Sequence, residues 1–459
     1  MTNNADAILE LKTLLGDRLS QGSSILELHS HDEAYSSAAL PDAVAFPEST
    51  DEVSAIMKIC SKHKCPVIPF GIGTSLEGHV IPIHGGISID TNRMNQVLTI
   101  HDSDKDAVVE PGVTRTQLNH ALRATGLMFT VDPGADATMG GMAATRASGT
   151  NTVRYGTMRE NVMALEVVLP NGDIIETGTR ARKSSAGYDL TKLFIGSEGT
   201  LGIITKLTVR LYGLPEVISA ATCCFETVED AVNSVSLAIQ MEIPLARAEF
   251  LDEVQMKGMN IYNPDSVMPE KPHLFLEFHG TEASVAEQIE MFKGVCDEYG
   301  ASDFKWATET KERDELWSAR HNAYYAGKSL MPGCESLVTD CCVPISELSN
   351  CIEKTRELIT ESGLIAPIVG HVGDGNFHLL ILIEPDNKDQ LHRAETLAGE
   401  VNRLALKFGG TITGEHGVGT GKVKYMPEEH GQAYNLMGVI KQAIDPDNIM
   451  NPGKLVSID

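Results

Sequence analysis

No uninterrupted apolar run in this 459-residue sequence approaches the roughly 18 residues that a membrane-spanning helix needs. Basic residues are also scarce. Lys and Arg number 37 against 63 Asp and Glu, giving a net charge of −26. Such a chain repels phosphate backbones, so a nucleic-acid partner is not expected, although an acidic face can steer a basic protein. The nine cysteines form no pattern: the count is odd, Cys223-Cys224 and Cys341-Cys342 are adjacent, and there is no C-x-x-C. That excludes a disulfide framework, a zinc ribbon and an iron–sulfur cluster, and leaves reduced thiols as the expectation. The residues Met1 to Asp6 carry neither a basic n-region nor the Arg-rich bias of an organelle presequence. The expected location is the cytoplasm or the periphery of an inner membrane, with a mature mitochondrial form as the alternative. Internal repeats and low-complexity tracts are missing as well.

What the chain does have is ordinary globular material, with 42% hydrophobic and 22% charged residues. Its length suits two or three domains. Residues 1–36 read as a helical segment. From 37 to 214, short Val/Ile-rich strands such as Pro66-Val67-Ile68-Pro69 and Ala164-Leu165-Glu166-Val167-Val168-Leu169 alternate with glycine-dense turns and two helices, near 50–64 and 114–126. Beyond Gly213-Leu214-Pro215, longer amphipathic helices (around 227–240, 282–299, 309–327, 346–362 and 387–408) separate strands such as 273–278 and 379–383. The fold class is α+β, and the second part, 215–425, reads as an antiparallel sheet covered by helices on one face.

Two kinds of pattern carry chemistry. The first is glycine. Gly71-Ile72-Gly73-Thr74-Ser75-Leu76-Glu77-Gly78 follows a strand and can aim successive N–H groups at a pyrophosphate. It is neither a dinucleotide fingerprint nor a P-loop, because no helix follows and no Gly-Lys-Ser/Thr is present. Further glycine-rich stretches run from Asp132-Pro133-Gly134 through Gly140-Gly141 to Ser148-Gly149-Thr150-Asn151, at Arg154-Tyr155-Gly156, and at Gly196 to Ile204. They suit backbone lying against a flat, extended ligand.

The second pattern is the run Gly370-His371-Val372-Gly373-Asp374-Gly375-Asn376-Phe377-His378. With Asp374-Gly375 as a two-residue hairpin loop, residues 371 and 378 pair directly, their Cβ atoms about 4.5–5.5 Å apart. Two imidazoles so placed can share a metal. Downstream lies Gly414-Glu415-His416-Gly417. Adjacent side chains of an extended segment diverge, so a division of labour is expected, with Glu415 as ligand and His416 as base. Two histidines and a carboxylate suit a divalent ion, zinc or manganese.

Taken together, the glycine-rich segments resemble the FAD-binding domain of the vanillyl-alcohol oxidase / p-cresol methylhydroxylase flavoproteins. Over about residues 40–455 the chain is similar to the FAD-linked, metal-dependent D-lactate dehydrogenase branch, beside D-2-hydroxyglutarate dehydrogenases and glycolate oxidase flavin subunits. The resemblance implies a two-subdomain flavin domain, a substrate cap, and a C-terminal segment (426–459) that returns to the flavin domain. It implies non-covalent FAD, contacted by Pro69, Phe70, Gly71, Ile72, Gly73, Thr74, Ser75, Leu76, Gly78, Pro133, Gly134, Thr138, Gly141, Ala144, Ser148, Gly149, Thr150, Arg154, Tyr155, Gly156, Glu198, Gly202, Ile203 and Asn451. It assigns His371, His378 and Glu415 to the metal, His416 to proton abstraction, and Arg320, in Leu316-Trp317-Ser318-Ala319-Arg320, to the substrate carboxylate. Dicarboxylate-oxidising relatives carry a lysine shortly before an aspartate; here Ser336-Leu337-Val338-Thr339 precedes Asp340 with no base. The expected activity is therefore oxidation of D-lactate or a similar short D-2-hydroxy acid to the 2-oxo acid. Alternatives are a 2-hydroxyglutarate or glycolate dehydrogenase and, outside catalysis, a flavoprotein scaffold subunit. A cytochrome c, a quinone or an electron-transfer flavoprotein would take the electrons, and a homodimer is the expected assembly.

Overall fold

The computed structural model describes residues 4–35 and 38–458, so the expected boundary between 36 and 37 lies outside the described residues. The chain divides into two compact units. The first takes the chain up to Ser148, then Gly156–Leu214, then Glu415 onward; the second takes Gly149–Tyr155 and Pro215–Gly414.

In the first unit, strands β1 (Leu19–Ser20), β2 (Ala43–Ala45), β3 (Val67–Phe70) and β4 (Ile87–Asp90) form a sheet in the order β1-β2-β4-β3, with β4 parallel to β2 and to β3. Parallel strands need a crossover, and the helix Thr50–His63 supplies one between β2 and β3. Ser49 caps it by accepting the Glu52 N–H, acidic residues fill its first turn, and Val53, Ile56, Met57 and Cys60 form its buried stripe. A second sheet is antiparallel: β5 (Val97–His101), β6 (Asp106–Val109), β8 (Val162–Val168), β9 (Ile174–Glu176) and β10 (Ile203–Arg210), in the order β5-β6-β10-β8-β9. A short ladder pairs β7 (Leu127–Met128) with β11 (Tyr212–Gly213). The C-terminal segment closes this unit. The Asn451 N–H donates to the Val67 carbonyl of β3 at 2.8 Å. The buried Lys441 ammonium donates to the carbonyls of Thr200 and Met450 and pairs with Asp445.

The second unit is built on β12 (Val217–Cys224), β13 (Leu245–Leu251), β14 (His273–Gly280), β15 (Ser302–Ala307), β16 (Glu335–Val338), β17 (Cys341–Cys342), β18 (Ile368–His371) and β19 (Asn376–Ile383). The order is β15-β12-β14-β13-β18-β19-β16, with β17 also on β19, and every pairing is antiparallel. Alternate residues, among them Ala248, Phe250, Leu274, Leu276, Phe278, Phe377 and Leu379, face a core closed by the helices Val228–Gln240, Glu282–Glu298, Leu348–Ser362 and Lys388–Lys407. Phe250, Phe278 and Phe377 are wholly buried there, so truncating any one to Ala costs roughly 3–5 kcal/mol.

Helices cover more of this sheet than the sequence suggested. Glu253–Tyr262, Thr310–His321 and Ala323–Lys328 lie on the opposite face, packing Met256, Trp317 and Ala326 against Leu251 and Phe275. The reason is local: these strands carry apolar residues on both sides at that end, and both sides must be buried. On the same face Leu380 and Leu382 of β19 pack with Cys334, and polar residues of β13, β14, β18 and β19 occupy the space between the two apolar patches.

Candidate active site

The first unit provides a cradle made largely of main chain. After β3 the chain runs through Gly71 to Gly78 without regular structure, and Gly73 and Gly78 take φ of 70° and 78°. The carbonyls of Gly71, Ser75 and Glu77 accept from Asn92 Nδ2 and from the main-chain N–H groups of Glu33 and of Thr420 and Gly421. The N–H groups of Ile72, Gly73, Thr74, Ser75 and Leu76 donate to nothing among the described residues. A row of donors anchored through its carbonyls fits a diphosphate.

Other expected segments gather around this loop. A Cβ on Gly71 would stand 2.6 Å from Thr138 Oγ1, and one on Gly199 would stand 2.8 Å from Pro69. Thr138 caps the helix Met139–Thr145, which includes Gly141 and Ala144, and Glu198 N–H donates to the Ala144 carbonyl. Gly202 leads into β10 at Ile203, where a Cβ would meet Val167 at 2.7 Å. Asn451 Nδ2 donates to the carbonyls of His79 and Glu198. Pro133 and Gly134 lie in an irregular stretch, with nothing within 4 Å of where a Gly134 Cβ would be. Gly156, at φ 77°, belongs to this unit, whereas Gly149, Thr150, Arg154 and Tyr155 belong to the other.

Glu198 shows a constraint that sequence alone did not reveal. It adopts φ 53°, a left-handed conformation that costs a non-glycine residue about 1 kcal/mol, between Gly196 and Gly199. That backbone delivers its buried carboxylate to the N–H groups of Val418 (2.7 Å) and Gly419 (2.8 Å), with His79 Nε2 at 3.3 Å. Burial opposes its charge, but His79 and the two amides prevail and hold its pKa below the usual carboxylate value. Burial likewise opposes charge on His79, and Glu198, helped by Asp32 and Glu77, outweighs it and raises the imidazole pKa. Glu198 thereby anchors the segment bearing Glu415 and His416 from its downstream side.

That segment is bent rather than extended, which corrects the expected divergence of its side chains. Glu415 Oε1 and His416 Nε2 are 3.6 Å apart, and Ser148 Oγ donates to Glu415 Oε2 at 2.6 Å. The turn at Gly417, φ 82°, folds the two neighbours toward a common side.

The second unit holds the hairpin histidines, in a register different from the expected one. His371 pairs with Asn376 and His378 with Val369, so the loop has four residues, Val372 to Gly375, closed by Asp374 N–H on the His371 carbonyl. The shift is by two residues, so both histidines keep to one face, but as a diagonal pair. Their ring centroids are 5.4 Å apart and their planes are nearly perpendicular, at 82°. Asp-Gly marked the turn; the longer loop is held by Val343, whose N–H donates to the Gly375 carbonyl at 3.0 Å, and Gly375, at φ 79°, is needed because a Cβ there would sit 2.1 Å from the Val343 carbonyl.

Acceptors hold both imidazoles from behind. His371 Nδ1 is 2.6 Å from Glu249 Oε1 and His378 Nδ1 is 3.1 Å from the Thr339 carbonyl. Each Nδ1 therefore donates its proton to that acceptor, so that in the neutral ring the lone pair falls on Nε2, the arrangement that a metal-binding histidine requires. Buried Asp340 accepts from Asn376 Nδ2 (2.8 Å) and Thr413 Oγ1 (2.8 Å), and its carbonyl takes the Gly414 N–H. It thus fixes the strand of chain that leads into Glu415.

Arg320, on the helix Thr310–His321, is committed to Glu249, with Nε at 2.8 Å and Nη2 at 2.6 Å from Oε2. Burial opposes the charge of Glu249, yet His371 and Arg320 together hold its pKa low. A second polar chain lies on the same sheet face and was missed by sequence reasoning. Tyr155 Oη contacts His279 Nδ1 at 2.7 Å, His279 Nε2 contacts Glu277 Oε1 at 2.6 Å, and Arg247 Nη1 lies 3.5 Å from Glu277 Oε2. Its only signal was polar residues alternating within otherwise apolar strands.

Comparison with known proteins now has this geometry to explain. Residues 214–455 match the family model "FAD linked oxidases, C-terminal domain", and residues 41–178 match "FAD binding domain". The chain belongs to the FAD-linked oxidase family. FAD is the cofactor of such an oxidoreductase, and the row of N–H donors in the first unit fits it. This FAD-linked oxidase is 49% identical over 456 residues to a probable mitochondrial D-lactate dehydrogenase of Danio rerio, covering 98% of this chain and 92% of that protein. It is 44% identical to a mitochondrial D-lactate dehydrogenase [cytochrome] of Arabidopsis thaliana, over 98% of this chain and 80% of that one. It is 36% identical to the glycolate oxidase subunit GlcD of Bacillus subtilis, over 94% and 92%. The fold is that of p-cresol methylhydroxylase, at TM-score 0.78 and 20% identity over 98% of this chain and 96% of that one. The expected vanillyl-alcohol-oxidase architecture is therefore the observed one. No helix among the described residues is long and apolar enough to cross a membrane.

Proposed function

We propose that this chain oxidises D-lactate, or a D-2-hydroxy acid of similar size, to the corresponding 2-oxo acid. The observation that carries the reading is the pair of hairpin imidazoles held through Nδ1 on one sheet face, in a chain 49% identical to a probable D-lactate dehydrogenase. Bound FAD supplies the two-electron acceptor that side chains cannot. His371, His378 and Glu415 would hold a divalent ion, zinc or manganese, which would supply Lewis-acid activation of the substrate hydroxyl.

The remaining work falls to the chain itself. His416 takes the hydroxyl proton, the general-base role that an imidazole beside the bound hydroxyl can fill. The Ser148 hydroxyl donates to Glu415 Oε2 at 2.6 Å and so orients the carboxylate as a ligand. Arg320 uses two of its nitrogens on Glu249, which presents the rest of the guanidinium fork in a fixed direction for the substrate carboxylate. The main-chain donors of 72–76 hold the diphosphate of non-covalent FAD. Ser336–Thr339 lack the lysine that dicarboxylate-oxidising relatives carry before the aspartate, which favours a short monocarboxylic acid. Relatives named for a cytochrome acceptor and for mitochondria support a cytochrome as electron acceptor and a mitochondrial setting. The net charge of −26 suits a basic partner of that kind.

A glycolate-oxidising role is the second reading, favoured by the 36% identity to GlcD. Anaerobic mixing of the metal-loaded holoprotein with D-lactate, L-lactate, glycolate and D-2-hydroxyglutarate, followed by flavin bleaching at 450 nm, separates these. D-lactate is expected to bleach fastest and L-lactate not at all. Equal bleaching by both enantiomers overturns the D-lactate reading, and faster bleaching by glycolate establishes the second.

A further inference from the structure

We propose that Glu249 is a positioning residue that ties the metal-facing histidine to the substrate-facing arginine through a single carboxylate. The inference rests on the reading of His371 as a metal ligand and extends it to a residue outside the ligand set. Glu249 lies on β13 directly opposite His371 of β18 and is wholly buried. Its two oxygens are divided: Oε1 meets His371 Nδ1 at 2.6 Å, and Oε2 receives Arg320 Nε at 2.8 Å and Nη2 at 2.6 Å. The carboxylate plane is therefore fixed from both sides, and any rotation that suits one partner disturbs the other.

Stability alone does not account for this arrangement. Its neighbours on the same face include Leu251 and Phe275, which pack in an apolar cluster. A buried ion pair can usually be replaced by apolar side chains at little cost or with a gain, so burying one here is weak evidence for a stabilising role. What Glu249 does provide is direction. It holds the His371 proton on Nδ1, makes Nε2 a stronger donor, and restrains the guanidinium that would receive the substrate carboxylate.

The Glu249→Gln substitution keeps the shape and removes one acceptor. An amide has one carbonyl oxygen, so its NH2 must face either the His371 N–H or the Arg320 N–H groups, donor against donor. The test uses the FAD-loaded protein freed of metal by a chelator and titrated with Mn²⁺, following loss of the free-ion electron paramagnetic resonance signal. Wild type is expected to bind Mn²⁺, and E249Q to bind it about 10–100-fold more weakly, with flavin content unchanged. E249D, which keeps the charge but shortens the reach, is expected to fall between them. Binding by E249Q as tight as wild type overturns the inference and leaves the metal reading intact. A wild type that takes up no Mn²⁺ overturns the metal reading, and the inference with it. Should E249Q fail to fold, E249D decides: weaker binding than wild type supports the positioning role, and equal binding overturns it.

Discussion

The two units solve recognition in opposite ways. The first relies on main chain: a loop whose carbonyls are anchored and whose N–H groups at 72–76 find no acceptor among the described residues, with glycines where a Cβ would collide. The second relies on side chains, with His371, His378, Glu249, Glu277 and His279 standing on strands whose other face is a packed apolar core. A backbone site suits an invariant cofactor, because its donors cannot rotate away. A side-chain site on rigid strands suits chemistry, because charge, tautomer and reach can be set residue by residue. The lesson is that sensitivity to mutation should differ in kind: volume matters in the first unit, and charge and proton placement in the second.

The sharpest break in that comparison is His416, a charge-handling residue that belongs to the glycine-built unit. His416→Ala is expected to keep bound FAD and lose roughly 10³-fold in the rate of flavin reduction by substrate, about 4 kcal/mol of barrier. Stopped-flow bleaching reads this, and wild-type speed would remove His416 from the reaction. Next come the glycines. Gly78→Ala combines φ 78° with a Cβ 2.3 Å from Thr420 Oγ1, and should destabilise by roughly 2–4 kcal/mol and release FAD. Gly213→Ala, on β11 away from the cradle, meets nothing within 4 Å and should be neutral, and comparable FAD loss from both variants would refute a volume-limited cradle.

The smallest effect concerns Asp252, the buried cap of the helix Glu253–Tyr262. Burial foremost, with Glu253 adding to it, raises its pKa to about 7. Its folded pKa exceeds the unfolded one, so the fold binds the proton more tightly and loses stability as pH rises from about 4 to about 7. Asp252→Asn keeps a capping oxygen and should flatten that slope, with a gain on the order of 1 kcal/mol at pH 8 because the lost charged cap offsets part of the relief. Melting curves at pH 5 and pH 8 check it. An unchanged slope would mean that Asp252 is ionised at no cost.

Much of this was legible in the sequence, and the exceptions share a cause. Helices with strong periodicity and caps, such as Thr50–His63 and Lys388–Lys407, fell where 3.6-residue spacing put them. The hairpin around Asp374-Gly375 was legible as a turn and as a same-face pair, but not in its register. Val343, a residue far away in sequence, holds the four-residue loop through its N–H on the Gly375 carbonyl. The bend at Glu415-His416 was hidden for the same reason, since Glu198 imposes it from more than two hundred positions upstream. Glu249, Glu277 and His279 were invisible as a set because strand alternation shows that a residue faces one side, not which partner it meets there. Local chemistry was readable, and long-range closure was not.

The strand β3 leans on Met450 and Asn451, and this has a consequence for how the protein is made. On the ribosome, domains fold as they emerge, the N-terminal ones usually first. Here the order inverts. Every residue of the cap sheet has been synthesised by Gly414, while the sheet that begins at Leu19 still lacks the segment that borders β3 and the lysine, Lys441, that ties it down. The first unit to start is the last to finish, so a nascent chain stalled at Gly414 would carry a completed cap beside an unfinished flavin fold.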